Sequence, residues 1–168
     1  MALLASLLLQ GGRAEGRDAY LLYIDIAKFF PSVDRTNLRF AELMKGVPRG
    51  VLDLVGAIFG EMSGCYDSAY GTCEEFEIYM GALMGCVLSP DRAKILLDTV
   101  VVAVRLHSRG VLPWGGGGRS VCSLVYCDDW LGIYSDVRDL QAAWAVWRVW
   151  EAMSGCSLGL GGDKTMVS

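Results

Sequence analysis

The sequence predicts an α+β domain in which a mixed or antiparallel sheet has its helices packed on one face. Three observations support this fold class. Two apolar runs have the composition of buried strands, and three long segments repeat apolar residues at helical spacing. The predicted order is a strand, two helices, a short β segment, a helix, a hairpin, a helix and a short strand, which is typical of a sheet covered by helices.

The first half of the chain contains one strand, two helices and a short β segment. Residues 19–25 form a nearly continuous apolar run, as in a strand buried on both faces, and Pro31 ends it. Helices are predicted over residues 38–44 and 51–62, where apolar residues recur at helical spacing before glycine or proline. Residues 66–79 hold aromatic and turn residues, which predicts one or two short strands.

The second half begins with a well-marked helix start. Ser89 can cap this helix and Pro90 suits its first position, so we expect a helix from there to about residue 107. Residues 121–134 predict a hairpin whose turn contains two aspartates, and residues 136–153 predict a helix with a tryptophan stripe facing the core. A short strand is expected at residues 158–160.

Length and composition exclude several classes of protein. The chain has 168 residues, of which 53% are hydrophobic and 20% are charged, so it can bury one core and is not disordered. Its net charge of −4 argues against a domain that holds nucleic acid by bulk positive charge alone. It leaves open a fragment of a larger nucleic-acid enzyme whose basic parts lie elsewhere.

The cysteines and the N-terminal residues predict an intracellular protein of the cytoplasm or nucleus, without a membrane partner. No two of the six cysteines form a C-x-x-C pair and there is one histidine, which disfavours a zinc site. The apolar run at residues 2–9 is too short to cross a bilayer. We expect residues 1–18 to form the stump of a helix followed by a glycine-rich loop over residues 11–18.

Carboxylates follow both predicted buried strands. Asp25 ends the first strand, and Asp128 and Asp129 lie in the hairpin turn. If the strands are neighbours, the three like charges converge at one edge of the sheet, which is costly without a cation. Oxygen ligands without histidine or cysteine favour Mg²⁺ or Mn²⁺, and two such metals suit phosphoryl or nucleotidyl transfer. The pattern alone equally allows three ordinary aspartates at strand ends.

Four motifs occur in the order typical of one enzyme family. They are DIAKFF at residues 25–30, GALMGCVLSP at 81–90, YCDD at 126–129 and LGLGGDKT at 158–165. Together they resemble the palm of reverse transcriptases, the RNA-directed DNA polymerases, particularly those of non-LTR retrotransposons and group II introns. The resemblance implies a polymerase palm over residues 19–168, with incomplete fingers and no thumb.

The resemblance also implies a role for each matching residue. Asp25, Asp128 and Asp129 would hold two Mg²⁺ ions, for which Mn²⁺ could substitute, and Lys164 would approach the leaving phosphates as a cation or proton donor. Residues implied in nucleotide binding are Ile26, Phe30, Met84 and Gly85. Phe30 would exclude a 2′-hydroxyl and so select deoxynucleotides. The implied partners are an RNA or DNA template with its primer, dNTPs, and the fingers and thumb of a longer polyprotein.

Departures from the family pattern leave two alternatives. Met84 stands where the family usually has glutamine, Pro31 where it often has aspartate, and Gly161 where it usually has asparagine. The chain could therefore be a truncated and inactive remnant of a reverse transcriptase. A less favoured alternative is a magnesium-binding phosphoacceptor signalling domain, which has similar acidic residues in another chain order. Without basic fingers or a thumb, we expect the isolated chain not to extend a primer.

Overall fold

A four-stranded antiparallel sheet lies at the centre of the protein. The computed structural model describes residues 2–82, 86–112, 120–159 and 166–167. The strand order in the sheet is β10-β1-β8-β7, formed by β1 (Tyr20–Ile24), β7 (Ser123–Tyr126), β8 (Asp129–Tyr134) and β10 (Met166–Val167). The predicted α+β class is confirmed, and the hairpin predicted over residues 121–134 is the β7–β8 pair.

Six helices and three small ribbons complete the described part of the chain. The helices are α1 (Ala2–Ala14), α2 (Phe29–Ser32), α3 (Arg35–Met44), α4 (Arg49–Phe59), α5 (Ser89–His107) and α6 (Val137–Ser154). The ribbons pair β2 (Ile26–Ala27) with β9 (Ser157–Leu158), β3 (Ser63–Gly64) with β6 (Phe76–Glu77), and β4 (Asp67–Ser68) with β5 (Gly71–Thr72). Within the described ranges, no helix is both long enough and apolar enough to span a membrane.

Local capping explains where two of the helices begin. The Asp34 carboxylate accepts a hydrogen bond of 2.8 Å from the Asn37 N–H at the start of α3, and Asp136 accepts one of 2.8 Å from the Arg138 N–H at the start of α6. The expected capping role of Ser89 is wrong. Ser89 is the first residue of α5 and is buried, and no side chain caps this helix.

The main core lies between one face of the sheet and the helices α3, α5 and α6. Because side chains alternate along a strand, the even-numbered residues of β1 and β8 face this core, among them Leu22, Trp130 and Tyr134. Trp147 of α6 packs edge-on against Trp130 and also against Trp150, with ring centroids 5.3 Å apart in both pairs. The tryptophan stripe of α6 is therefore part of the core, as predicted.

Helix α1 packs against the opposite face of the same sheet. Ala5 is buried in a small cluster with Leu131 and Ile133, and Leu8 and Leu9 pack against it. The expected loop over residues 11–18 is wrong for residues 11–14, because α1 continues to Ala14. The apolar contacts of the preceding turns offset the helix-weakening effect of the two glycines.

A buried ion pair joins α3 to α5. The Glu42 side chain is buried and accepts a hydrogen bond of 2.6 Å from Nε of Arg92. The Arg92 guanidinium also lies over the ring of Phe59, 5.7 Å from its centroid. This contact ties the helices that follow β1 to the long helix behind the sheet.

Candidate active site

The register of the central strands brings two of the predicted aspartates to neighbouring positions. β1 and β8 are antiparallel, and their last paired residues at this end are Ile24 and Trp130. If the pairing is continued by one residue, Asp25 lies opposite Asp129. Both aspartates line a cavity of about 580 Å³ between the sheet and α1. Side-chain alternation places them on the face opposite the main core.

The turn that carries Asp128 has an uncommon backbone conformation. Tyr126 pairs with Asp129, so Cys127 and Asp128 form a two-residue turn, in which Cys127 has φ 54°. Among the described residues, the other non-glycine residue with positive φ is Lys28, three residues after Asp25, with φ 47°. Such conformations cost free energy and often occur at functional sites. Asp128 is half-buried and does not line the cavity that Asp25 and Asp129 share.

A second ribbon fixes the backbone on the other side of Asp25. Ile26 of β2 pairs with Leu158 of β9, and the Gly159 N–H donates a hydrogen bond of 2.8 Å to the Asp25 carbonyl. Further along the chain, Met166 pairs with Tyr23. The segment after Gly159 therefore leaves from, and returns to, strands on either side of Asp25. Lys164 belongs to that segment but lies outside the described residues.

Helix α1 contributes polar groups that sequence reasoning missed. Ser6, Gln10 and Arg13 line the cavity from the helix side, across from Asp25 and Asp129. The signal that could have found them is the spacing of Ala5, Leu8 and Leu9, which gives residues 2–13 an apolar face and a polar flank. The glycine pair at residues 11–12 obscured this pattern.

The remaining predicted nucleotide-binding residues are not gathered at this cavity. Ile26 is buried in the main core. Phe30 is half-buried, packs against the same core and contacts Phe29 with ring centroids 5.7 Å apart, and it does not line the cavity. Met84 and Gly85 lie outside the described residues. Of the predicted site residues, Asp25 and Asp129 therefore line the same cavity, and Phe30 does not line it.

The donor set is compatible with a divalent cation that arrives with a phosphate ligand. Within the described ranges, no group of three or more His, Cys, Asp or Glu side chains is placed to hold a metal ion. Two carboxylates nevertheless share one cavity, and Mg²⁺ is commonly bound by one or two carboxylates together with substrate phosphates and water. Asp25 and Asp129 therefore fit the group, with Asp128 beside them in the turn.

Comparison with known proteins supports the fold and no more than the fold. The sequence matches no protein-family model and no curated protein. The structure is similar to that of telomerase from Candida albicans, solved in complex with a TWJ fragment of telomeric RNA, with a TM-score of 0.70 and 13% sequence identity. The similarity covers 99% of this chain and 29% of the telomerase chain. The protein therefore has a polymerase-like α+β fold and spans under a third of the length of this structural neighbour.

Proposed function

We propose that the chain is the palm of an RNA-directed DNA polymerase, which joins dNTPs to the 3′-hydroxyl of a primer. The observation that carries the proposal is the position of Asp25 directly across from Asp129, in one cavity, within a fold similar to telomerase. The order of the four sequence motifs supports it independently, since the first motif supplies Asp25 and the third supplies Asp129.

In this proposal the residues on the sheet side of the cavity and those on the α1 side have different roles. Asp25 and Asp129, with Asp128 in the adjoining turn, would hold two Mg²⁺ ions. When bound, the metals would supply charge neutralisation at the transferring phosphate and activation of the primer hydroxyl. Lys164 would act toward the leaving phosphates as a cation or proton donor. Arg13 of α1 lines the same cavity and adds a positive charge on the helix side.

The finer assignment rests on the motifs. They resemble the motifs of non-LTR retrotransposon and group II intron enzymes, so we propose a retroelement origin. The partners would be an RNA or DNA template with its primer, and fingers and thumb regions carried by a longer protein. The greater length of the telomerase chain supports flanking regions, and its complex with RNA supports a nucleic-acid partner.

The phosphoacceptor alternative is disfavoured by topology. Regular alternation of strands and helices builds a parallel sheet. Every strand pairing in the described ranges is antiparallel, including both neighbours of β1. An inactive remnant would have the same fold, so only an activity assay distinguishes it from an active polymerase.

Binding of Mn²⁺ tests the site directly. Water-proton relaxation measures Mn²⁺ bound to the full chain and to the variants Asp25→Asn, Asp129→Asn and Asp128→Asn. The matched control is Asp18→Asn, which removes the same charge from an exposed position outside the cavity. We expect Asp25→Asn and Asp129→Asn to weaken Mn²⁺ binding and the control to leave it unchanged. Equal binding by all five proteins would remove the basis of the proposal.

Primer extension then separates the enzyme from the remnant. The assay uses a longer protein in which fingers and thumb segments flank this chain, with Mg²⁺ or Mn²⁺ and a primed RNA template. Extension that Asp25→Asn abolishes supports the polymerase. Mn²⁺ binding without any extension assigns the chain to an inactive remnant. Phe30→Ala should relax discrimination against ribonucleotides, and unchanged discrimination would reduce Phe30 to a core residue.

A further inference from the structure

An arm of two antiparallel ribbons projects from the end of α4. It comprises residues 61–80, which we call the aromatic arm, and contains the β3–β6 and β4–β5 pairs. The arm lies outside the four sequence motifs, and none of its residues lines the cavity of the candidate active site. All of its residues are exposed or half-exposed, and none contributes to the two core clusters.

Arg35 fixes the base of the arm to the body of the protein. Its guanidinium donates to the carbonyl of Phe59 at 2.6 Å and to the carbonyl of Gly81 at 3.2 Å, the residues on either side of the arm. It also contacts the Met62 sulfur at 3.6 Å. The Ile78 N–H closes the base with a 2.7 Å bond to the Met62 carbonyl. An arm held at its root presents its surface with little ordering cost on binding.

Large aromatic side chains line the arm without covering one another. Tyr70 is fully exposed, Tyr79 is 80% exposed and Tyr66 is 69% exposed. Phe76 lies across from Gly64 in the β3–β6 register and is still half-exposed. Tyrosine and phenylalanine are enriched at protein–protein interfaces, and clustered exposure of this kind marks an interaction surface.

The charge of the arm determines which partner suits it. Five acidic residues and no lysine or arginine lie between residues 61 and 80. The rest of the chain, with 14 acidic and 15 basic residues, is close to neutral. Carboxylates beside exposed aromatic rings complement guanidinium groups, which pair with carboxylates and stack on ring faces. The same charge repels a nucleic-acid backbone.

We propose that the aromatic arm docks an arginine-rich polypeptide segment. Arginine is favoured over lysine because its planar guanidinium can engage a carboxylate and a ring together. The proposal does not depend on the polymerase assignment, because no residue of the aromatic arm lines the cavity that Asp25 and Asp129 share.

Fluorescence anisotropy of a fluorescein-labelled octa-arginine peptide tests the proposal with the full chain. The charge variant is E74Q/E75Q/E77Q, and its matched control is D18N/D53N/D91N, which makes the same charge change at exposed positions elsewhere. The aromatic variant is Y70S/Y79S. Far-ultraviolet circular dichroism verifies that each variant remains folded.

We expect the charge variant to weaken octa-arginine binding by about tenfold and the matched control by less than about twofold. The aromatic variant should also weaken it, and octa-lysine should bind less tightly than octa-arginine. No binding by the unmodified chain, or equal losses in the charge variant and its control, would overturn the proposal. Self-association of the chain that Y70S/Y79S abolishes would instead assign the arm to a second copy, and binding of labelled oligo-dT at the arm would assign it to nucleic acid; either result overturns it.

Discussion

Replacing Gly132 by alanine should destabilise the protein and disturb the strand that carries Asp129. Gly132 lies in the middle of β8, between two buried aromatic side chains. A Cβ atom there would lie 2.5 Å from Cη2 of Trp130 and 2.6 Å from the hydroxyl oxygen of Tyr134. Both rings are packed and cannot turn away freely, so they must shift by about 1 Å to reach ordinary contact distances of roughly 3.5–4.0 Å.

Overpacking of this kind costs about 1–3 kcal/mol. For a chain of this size each kcal/mol lowers Tm by roughly 2–4 °C, so Gly132→Ala should lower Tm by about 2–12 °C. Thermal unfolding followed by circular dichroism measures the shift, and the near-ultraviolet signal of the packed tryptophans should change with it. The matched control is Gly50→Ala in α4, where the new methyl group meets no atom within 4 Å, so stability should be unchanged or slightly higher. A Gly132→Ala protein as stable as the control would refute the packing argument.

Three further changes test other parts of the structure. Glu42→Gln leaves the Arg92 charge without its buried partner and should cost about 3–5 kcal/mol in urea unfolding, and a loss below about 1 kcal/mol would mean that water reaches the pair. Asp34→Ala removes the cap of α3 and should cost about 1 kcal/mol, whereas Asp34→Ser should retain most of it, and equal losses would contradict the capping role. Burial raises the pKa of Tyr134 above its usual value near 10, so the folded state favours the neutral phenol. The contribution of Tyr134 to stability should therefore be fully present below about pH 10 and be lost as the pH rises further. Tyr134→Phe should remove that part of the alkaline loss, and an unchanged pH profile would contradict the assignment.

The elements with strong local signals were predictable from the sequence. The apolar run of β1, the hairpin of β7 and β8 and the tryptophan stripe of α6 were each expected within a few residues of their observed positions. The error at α1 has a physical cause. Two successive glycines favour a loop in isolation, but packing of Ala5 on the sheet keeps the helix intact beyond them. Tertiary contacts of this kind are not visible in a local pattern.

The candidate site was predictable in its residue types and less so in its geometry. The sequence indicated that Asp25 and the hairpin aspartates follow buried strands, but the pairing register decides which hairpin aspartate lies opposite Asp25. The observed register selects Asp129 and leaves Asp128 in the turn. The polar side of the cavity, which includes Arg13, could not be found without knowing that α1 lies over this face.

The orientation of the two aspartates follows from the packing of the core behind them. Trp130 is buried against Trp147, which fixes the side of the sheet that the even-numbered residues of β8 face. Because side chains alternate, Asp129 must then face the other side, and the β1 register gives Asp25 the same side. A slip of one residue in β8 would bury Asp129 among the tryptophans and expose Trp130 in the cavity, at the cost of a buried carboxylate and a lost aromatic contact. The same apolar packing that stabilises the fold therefore also determines that the carboxylates share one cavity. A methyl group at Gly132, which would meet Trp130 and Tyr134 on the core face of β8, should therefore also disturb the strand that carries Asp129.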